Sequence, residues 1–147
     1  MDHQAAERRI TFCRATLLAA SLLGLTGVAL GAWAAHGLAD ILGPAKATRL
    51  PSFETGVRYQ MSHAGVLLAV AMLPASKRRA TAAGLLIAGT LVFSGSLYIL
   101  VTSGVPKWGA VTPIGGVLLL AGWSCLVALA IRPPAGEQTM NDAMGVP

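Results

Sequence analysis

The residues of this chain that could do chemistry stand in a few short strings beside long apolar runs. Nine of them are the candidates for a polar cluster or ligand site: His36, Glu54, Arg58, Tyr59, His63, Ser94, Ser96, Tyr98 and Thr112. Tyr59 and His63 are four residues apart, so on a helix they share one face. Imidazole, carboxylate and hydroxyl groups among apolar residues can bind a proton, an ion or a small polar molecule, because each needs a partner there.

Three interpretations of these residues stay open, of which the simplest is that they lie unpaired at the membrane interface. In the second, the groups pair with one another and fix a unique packing: His36 with a backbone carbonyl, Glu54 with Arg58, and Tyr98 with His63. In the third, they form a site for a ligand or ion, because polar groups buried in a membrane bundle are costly unless they are paired. Haem held by His36 and His63 is a weaker alternative, since His36 ends its helix whereas His63 lies well inside its own.

Sequence patterns of known catalytic and metal sites are missing. The chain contains no HExxH, GxSxG, phosphate-binding loop or paired carboxylates. Cys13 and Cys125 lie in different segments without a CxxC or a nearby histidine, which leaves neither a disulfide framework nor a zinc site. We therefore expect no enzyme activity, no metal and no cofactor.

The composition indicates what kind of element positions the polar residues. Of 147 residues, 54% are apolar and only 12% are charged, and the mean hydropathy is +0.65. Soluble domains usually carry about 25% charged residues, so the composition excludes an ordinary soluble globule and a disordered chain. The net charge of +5 does not indicate nucleic-acid binding, because the basic residues flank the apolar runs instead of forming a stripe.

Four apolar runs predict transmembrane helices. They cover residues 15–35, 52–73, 80–101 and 110–131. We predict an all-α, integral membrane four-helix bundle of antiparallel spans. The segment from His36 to Pro51 is mixed in composition and is predicted as the longest loop, with Ser52 as the N-cap of the second helix.

The basic residues predict the orientation of this bundle. Seven of the 11 Lys and Arg residues lie in the amino-terminal segment, in the 74–79 turn and at Arg132, and four lie in the other two loops when Arg58 is counted there. The positive-inside rule then places both termini in the cytoplasm, with a lead at 1–14, a membrane domain at 15–132 and a disordered tail at 133–147. In this topology all nine candidate residues fall in the outer half of the bundle.

Small residues predict where the helices approach closely, because lipid does not drive helices together. They recur at helical spacing in every predicted span: Ala20, Gly24, Gly27, Gly31 and Ala35; Gly65 and Ala69; Gly84 and Ala88; Gly115 and Gly122. The small face of the first span could also supply an interface between copies of the chain.

Four ordered strings resemble a known family. They are GAWAAHGL at 31–38, FETGVRYQMSH at 53–63, FSGSLY at 93–98 and TPIGG at 112–116, followed by Gly122 and Trp123. Together these strings resemble the YgdD-like family of small bacterial inner-membrane proteins, domain of unknown function family 423, which has a relative in eukaryotic transmembrane protein 256. The resemblance covers Leu17 to Ile131. The chain departs from the family at Trp33, where Phe is usual, and at Ser62, where Tyr is common.

The resemblance implies a four-span protein of the bacterial inner membrane and no established activity. Its signature positions include the nine candidate residues together with Pro113. We expect a non-enzymatic accessory or assembly component that contacts membrane lipid and either a second copy or another membrane protein. The alternative is a binding site or oligomeric carrier for a small molecule, a lipid headgroup or a proton in the outer half of the bundle.

Overall fold

The structure is a computed structural model that describes residues 3–131, with side chains described from Thr11 onward. Within that part of the chain every element is helical and there is no strand. Three helical stretches are long and apolar enough to cross a membrane: Thr11–Met72, Lys77–Ser103 and Pro106–Ile131. The prediction of an all-α chain with membrane-spanning helices is therefore confirmed, while the predicted disordered tail at 133–147 lies outside the described residues.

The long helices are joined by short helical connections. The elements in chain order are α1 (His3–Trp33), a π-helical segment (Ala34–Leu38), α2 (Ala39–Leu42), a 3-10 turn (Gly43–Ala45), α3 (Lys46–Met72), α4 (Lys77–Ser103), a 3-10 turn (Pro106–Ala110) and α5 (Thr112–Ile131). The connections at 34–45 and 104–111 lie at what we call the loop end of the helices. The connection at 73–76 lies at the opposite end, the turn end.

The predicted loop from His36 to Pro51 is wrong, because this segment is helical almost throughout. The chain reverses at Gly43, whose φ of +49° is accessible to glycine at no steric cost. Pro51 lies inside α3 instead of ending a loop, and Ser52 is not an N-cap because the helix already begins at Lys46. Burial of apolar side chains explains why this connection is helical. Leu38, at 1% exposure, packs in one cluster with Phe53 of α3.

The other helix ends follow local rules. Leu73 leaves the helical conformation with a ψ of 155°, as expected of a residue before proline. Ser76 caps α4 by accepting a hydrogen bond from the Arg79 backbone N–H at 3.1 Å. Gly104 ends α4 in the left-handed conformation with a φ of +70°.

The helices pack in the order in which they occur in the sequence. Helix α3 lies between α1 and α4, and α5 packs against α4. Because α1 and α3 pack side by side, the continuous helical stretch Thr11–Met72 must double back within its 34–45 segment. The main apolar core joins residues of all four long helices, including Leu23, Leu67, Leu86 and Leu119.

Glycines permit the closest helix contacts. A Cβ atom at Gly115 would collide with the backbone nitrogen of Phe93, and one at Gly122 would lie 2.8 Å from the Leu86 side chain. The predicted packing role of Gly115 and Gly122 in the last helix is thus confirmed. On α4 the glycine in contact is Gly89, which lies against the backbone of Leu119.

The small residues predicted for the other helices divide into two groups. Gly27 and Gly31 of α1 do lie against α3, next to Met61 and Val57 respectively. These two residues of the small face are therefore used inside the chain. A Cβ atom at Gly24, Gly65 or Gly84 would meet no atom within 4 Å, so the prediction that these three residues form close contacts is wrong.

Two neighbouring glycines test this account of the α4–α5 contact. We expect Gly115→Ala to lower the free energy of unfolding by about 1 to 3 kcal/mol, because the added methyl group overpacks the interface. Gly116→Ala is the matched control, since its Cβ atom meets nothing within 4 Å. Thermal unfolding of both variants in detergent measures the difference. Equal melting temperatures for the two variants would show that the close approach is not a stability determinant.

Candidate functional site

Five of the nine predicted residues form hydrogen bonds between helices: Ser94, Ser96, Tyr98 and Thr112, and also His63, which is described below. The Ser94 hydroxyl donates to the Gly56 carbonyl at 2.8 Å and joins α4 to α3. The hydroxyls of Ser96 and Thr112 lie 2.8 Å apart and join α4 to α5. The Tyr98 hydroxyl donates to the side chain of Gln60 and joins α4 to α3. These groups are paired within the chain, as the packing interpretation predicts for a polar cluster.

Gln60 is the centre of this network, and sequence reasoning did not include it among the site residues. Its side-chain nitrogen donates to the Leu23 carbonyl and to the Thr26 hydroxyl, each at 2.8 Å. Its side-chain oxygen accepts from the Tyr98 hydroxyl at 2.9 Å. One buried amide thus joins α1, α3 and α4. A signal was present in the sequence, because an amide within an apolar helix needs several partners.

His63 is buried and uses both ring nitrogens. Nδ1 lies 2.8 Å from the Tyr59 carbonyl, which can only accept, so the proton belongs on Nδ1. Nε2 then accepts a hydrogen bond from the Trp123 indole N–H at 3.3 Å. Through its bond to Trp123 the ring links α3 to α5. Because Nε2 is occupied and His36 lies elsewhere, the pair does not form the facing ligands that haem requires.

Tyr59 stands beside His63 on the same face of α3, as the spacing predicts. Its ring lies 5.9 Å from the His63 ring and 4.4 Å from the Phe93 ring, centroid to centroid. The two α3 residues and Trp123 line a cleft of about 470 Å³ between α3 and α5. Within the described residues, the Tyr59 hydroxyl has no hydrogen-bond partner.

The remaining three predicted residues lie on the surface of the helices. His36, Glu54 and Arg58 are all exposed. Glu54 and Arg58 line a groove of about 290 Å³ between α1 and α3, together with Gly31, Ala34, Ala35 and Val57. His36 does not line it.

Three of the predicted pairings are wrong. Among the described residues no ion pair joins Glu54 to Arg58, and His36 makes no hydrogen bond to a carbonyl. Tyr98 bonds Gln60, and His63 bonds Trp123. The nine residues therefore do not form a single cluster. The pairings differ because helix rotation, which a single sequence does not fix, decides which residues of neighbouring helices meet.

A further buried polar residue lies at the turn end. Arg79 is completely buried, although its position beside other basic residues indicated a charge that flanks a span. Its guanidinium donates to the Leu73 carbonyl, lies 3.2 Å from the Cys13 sulfur and stands 5.0 Å from the Phe12 ring centroid. Arg79 therefore joins α1 to the end of α3. Nothing in the sequence indicates that Arg79 is buried whereas Lys77, two residues before it, is exposed.

Two tyrosines of the same region test the network. We expect Tyr98→Phe to lower the free energy of unfolding by about 0.6 to 1.7 kcal/mol, because it leaves the buried Gln60 oxygen without a donor. Tyr59→Phe is the control, since it removes a hydroxyl without a hydrogen bond and should change stability by less than about 0.5 kcal/mol. Unfolding of the purified variants in detergent measures both. A Tyr98→Phe variant as stable as the wild type would contradict the assigned network.

Comparison with known proteins places this arrangement in a family. The family model described as "Protein of unknown function (DUF423)" matches residues 30–116. The chain is 40% identical over 124 residues to UPF0382 inner membrane protein YgdD of Escherichia coli K12, covering 81% of this chain and 91% of that protein. It is 40% identical over 121 residues to UPF0382 membrane protein YwdK of Bacillus subtilis, covering 79% and 95%.

A third relative, a UPF0382 membrane protein of Haemophilus influenzae, is 46% identical over 110 residues, covering 72% of this chain and 85% of the relative. No solved structure matches the chain. The family match extends over the α1–α3 groove, over Gln60 and Tyr98, and over the start of α5. The chain therefore belongs to the DUF423 family of multi-pass inner-membrane proteins, to which YgdD also belongs.

Proposed function

We propose that the chain crosses the membrane four times as an antiparallel bundle with both termini in the cytoplasm. The contact between α1 and α3 supports four crossings, because two helices packed side by side cross as two spans even though their helical stretch is continuous. Helix α1 has 31 residues and α3 has 27. At about 1.5 Å per residue both exceed the roughly 30 Å of the hydrocarbon core. The excess of basic residues at the amino end and the turn end supports the orientation.

Cysteine labelling in intact cells tests the orientation. Cysteine replaces Lys107 at the loop end or Lys77 at the turn end, in a chain whose Cys13 and Cys125 are replaced by alanine. Both lysines are exposed. We expect a membrane-impermeant maleimide to label position 107 in intact cells and position 77 only after lysis. Labelling of position 77 in intact cells would contradict the proposed orientation.

The proposed role is that of a non-enzymatic accessory or assembly component that binds another membrane protein. The observation that supports it most directly is the α1–α3 groove, where Glu54 and Arg58 stand exposed without an ion pair in the described structure. Both residues belong to α3, a helix with the length and composition of a span. A lone arginine inside a bilayer costs about 2.5 to 3.5 kcal/mol on insertion scales.

The chemistry of the groove defines the partner. One side of the groove is formed by Gly31, Ala34 and Ala35. Ala35 is exposed, and its small side chain allows a partner helix to approach closely. The other side offers one negative and one positive side chain, one helical turn apart. A partner helix with an acidic group facing Arg58 and a basic group facing Glu54 would neutralise both charges, and their fixed spacing would set its register.

Charge substitution tests this contact. A photo-crosslinking amino acid at Val57, inside the groove, is combined with Arg58→Glu in the native membrane. We expect the charge reversal to reduce the crosslink to its partner by more than about tenfold, because truncating or reversing a buried charge pair is strongly unfavourable. Arg58→Lys keeps the charge and should retain most of the crosslink. Lys107 is an exposed cation outside the groove, so Lys107→Glu is the matched control for reversing a charge.

The outcomes separate three cases. A crosslink that survives Arg58→Glu, or no crosslink at normal protein abundance, would contradict the proposed contact. If the captured protein is a second copy of this chain, the combined exchange Glu54→Arg with Arg58→Glu should restore the crosslink, because both partners then carry the exchanged pair. With a different protein as partner the combined exchange should fail to restore it, which is the result that we expect.

A further inference from the structure

The cleft beside His63 is separate from the groove that the proposed function uses. It lies between α3, which contributes Tyr59 and His63, and α5, which contributes Gly116 and Trp123, with Phe93 of α4 between them. Glu54 and Arg58 do not line it. Its volume of about 470 Å³ lies within the range of small-molecule sites, roughly 300 to 1,000 Å³.

The position of the cleft along the helices determines how a ligand reaches it. Trp123 is the twelfth of the 20 residues of α5, so it lies about 12 to 16 Å from either helix end. Its α5 neighbours Val117 and Leu120 are 65% and 70% exposed and present an apolar rim. The cleft extends from Pro113, the second residue of α5, to Trp123 near the middle of this helix. Its apolar rim opens sideways to the bilayer, so the ligand that fits it is soluble in lipid.

The lining defines the chemistry of the ligand. No charged side chain is among the residues that line this cleft, so a charged headgroup would enter without a counter-charge, which is strongly unfavourable in an apolar environment. Three aromatic rings and an imidazole line it, and aromatic side chains favour stacked or edge contacts with another ring.

One polar group of the cleft awaits a partner. The Tyr59 hydroxyl makes no hydrogen bond within the described structure, although Tyr59 lines the cleft and is 41% exposed. The lining of the cleft is mostly apolar, so an unpaired hydroxyl is unfavourable there. The imidazole beside it cannot accept this proton, because Nδ1 donates to the Tyr59 carbonyl and Nε2 is occupied by Trp123.

We infer that the cleft binds a neutral, lipid-soluble molecule with a flat ring that bears a carbonyl oxygen, the class to which membrane quinones belong. The carbonyl oxygen accepts the hydrogen bond of the Tyr59 hydroxyl. The ring packs against the exposed indole of Trp123, and its apolar chain leaves past Val117 and Leu120 into the bilayer. An acyl chain would fill the same volume but would leave the hydroxyl unpaired.

The experiment uses the full-length protein in nanodiscs and decylubiquinone as the probe. Replacing Trp33 and Trp108 with Phe leaves Trp123 as the sole remaining tryptophan of the three in the chain. Quenching of its fluorescence by the bound quinone ring then reports occupancy of the cleft. We expect a saturable component above the linear quenching by quinone dissolved in the lipid.

Two variants and a matched control assign this component to the cleft. Tyr59→Phe should weaken quinone binding by about 3- to 10-fold, the effect of one hydrogen bond. This substitution should leave the fold intact because the hydroxyl has no partner in the described structure, so weaker binding would not reflect unfolding. Gly116→Leu should abolish the saturable component, because a side chain there extends into open space within the cleft. Gly84→Leu also extends into open space, but it lies outside the cleft and should bind quinone like the parent.

Three results would overturn the proposal. A purely linear quenching curve would mean that lipid acyl chains alone occupy the cleft. Equal binding by Gly116→Leu and Gly84→Leu would place the quinone elsewhere. Binding of decylbenzene in competition with the quinone and at equal affinity would remove the role assigned to the carbonyl oxygen. Arg58→Glu should leave quinone binding unchanged, so failure of the proposed partner contact and failure of this site are distinguishable.

Discussion

The polar groups that this protein buries between its helices find their partners in the backbone or side chains of the neighbouring helices. Lipid offers no hydrogen bonds, and burying apolar side chains against other helices gains little over burying them in lipid. Gln60 meets this constraint most completely, since one amide bonds groups of α1 and the Tyr98 hydroxyl of α4. The central position of α3 between α1 and α4 follows from these bonds and from the apolar core around Leu67.

The two sides of the molecule are held together in different ways. On the α1–α3–α4 side, side-chain hydrogen bonds join the helices. Between α4 and α5, one side-chain hydrogen bond, Ser96 with Thr112, is accompanied by Gly89, Gly115 and Gly122, which let the backbones approach closely enough for dispersion contacts. Helix α5 packs mainly on α4, and the Trp123 side chain supplies its hydrogen bond to α3. The cleft between α3 and α5 is a consequence of this arrangement.

The polar groups that the fold leaves unpaired mark two places where another molecule can complete it. In the α1–α3 groove these groups are charged, which suits a protein partner with complementary charges. In the α3–α5 cleft the unpaired group is a neutral hydroxyl among aromatic rings, which suits an uncharged molecule dissolved in the bilayer. The same physical rule, that unsatisfied polar groups are unfavourable in lipid, therefore points to different ligands at two sites.

The sequence by itself determined the helical membrane architecture, because long uncharged runs and flanking basic residues are read directly from composition and order. It also located the packing glycines of α5 and the buried polar residues Ser94, Ser96 and His63. It could not determine the helical connection at 34–45, where burial of Leu38 against Phe53 overrides loop-forming residues. Nor could the sequence predict which polar side chains are hydrogen-bond partners. Which side chain meets Tyr98 or His63 depends on the rotation and depth of each helix relative to its neighbours, and only the packed tertiary structure fixes these.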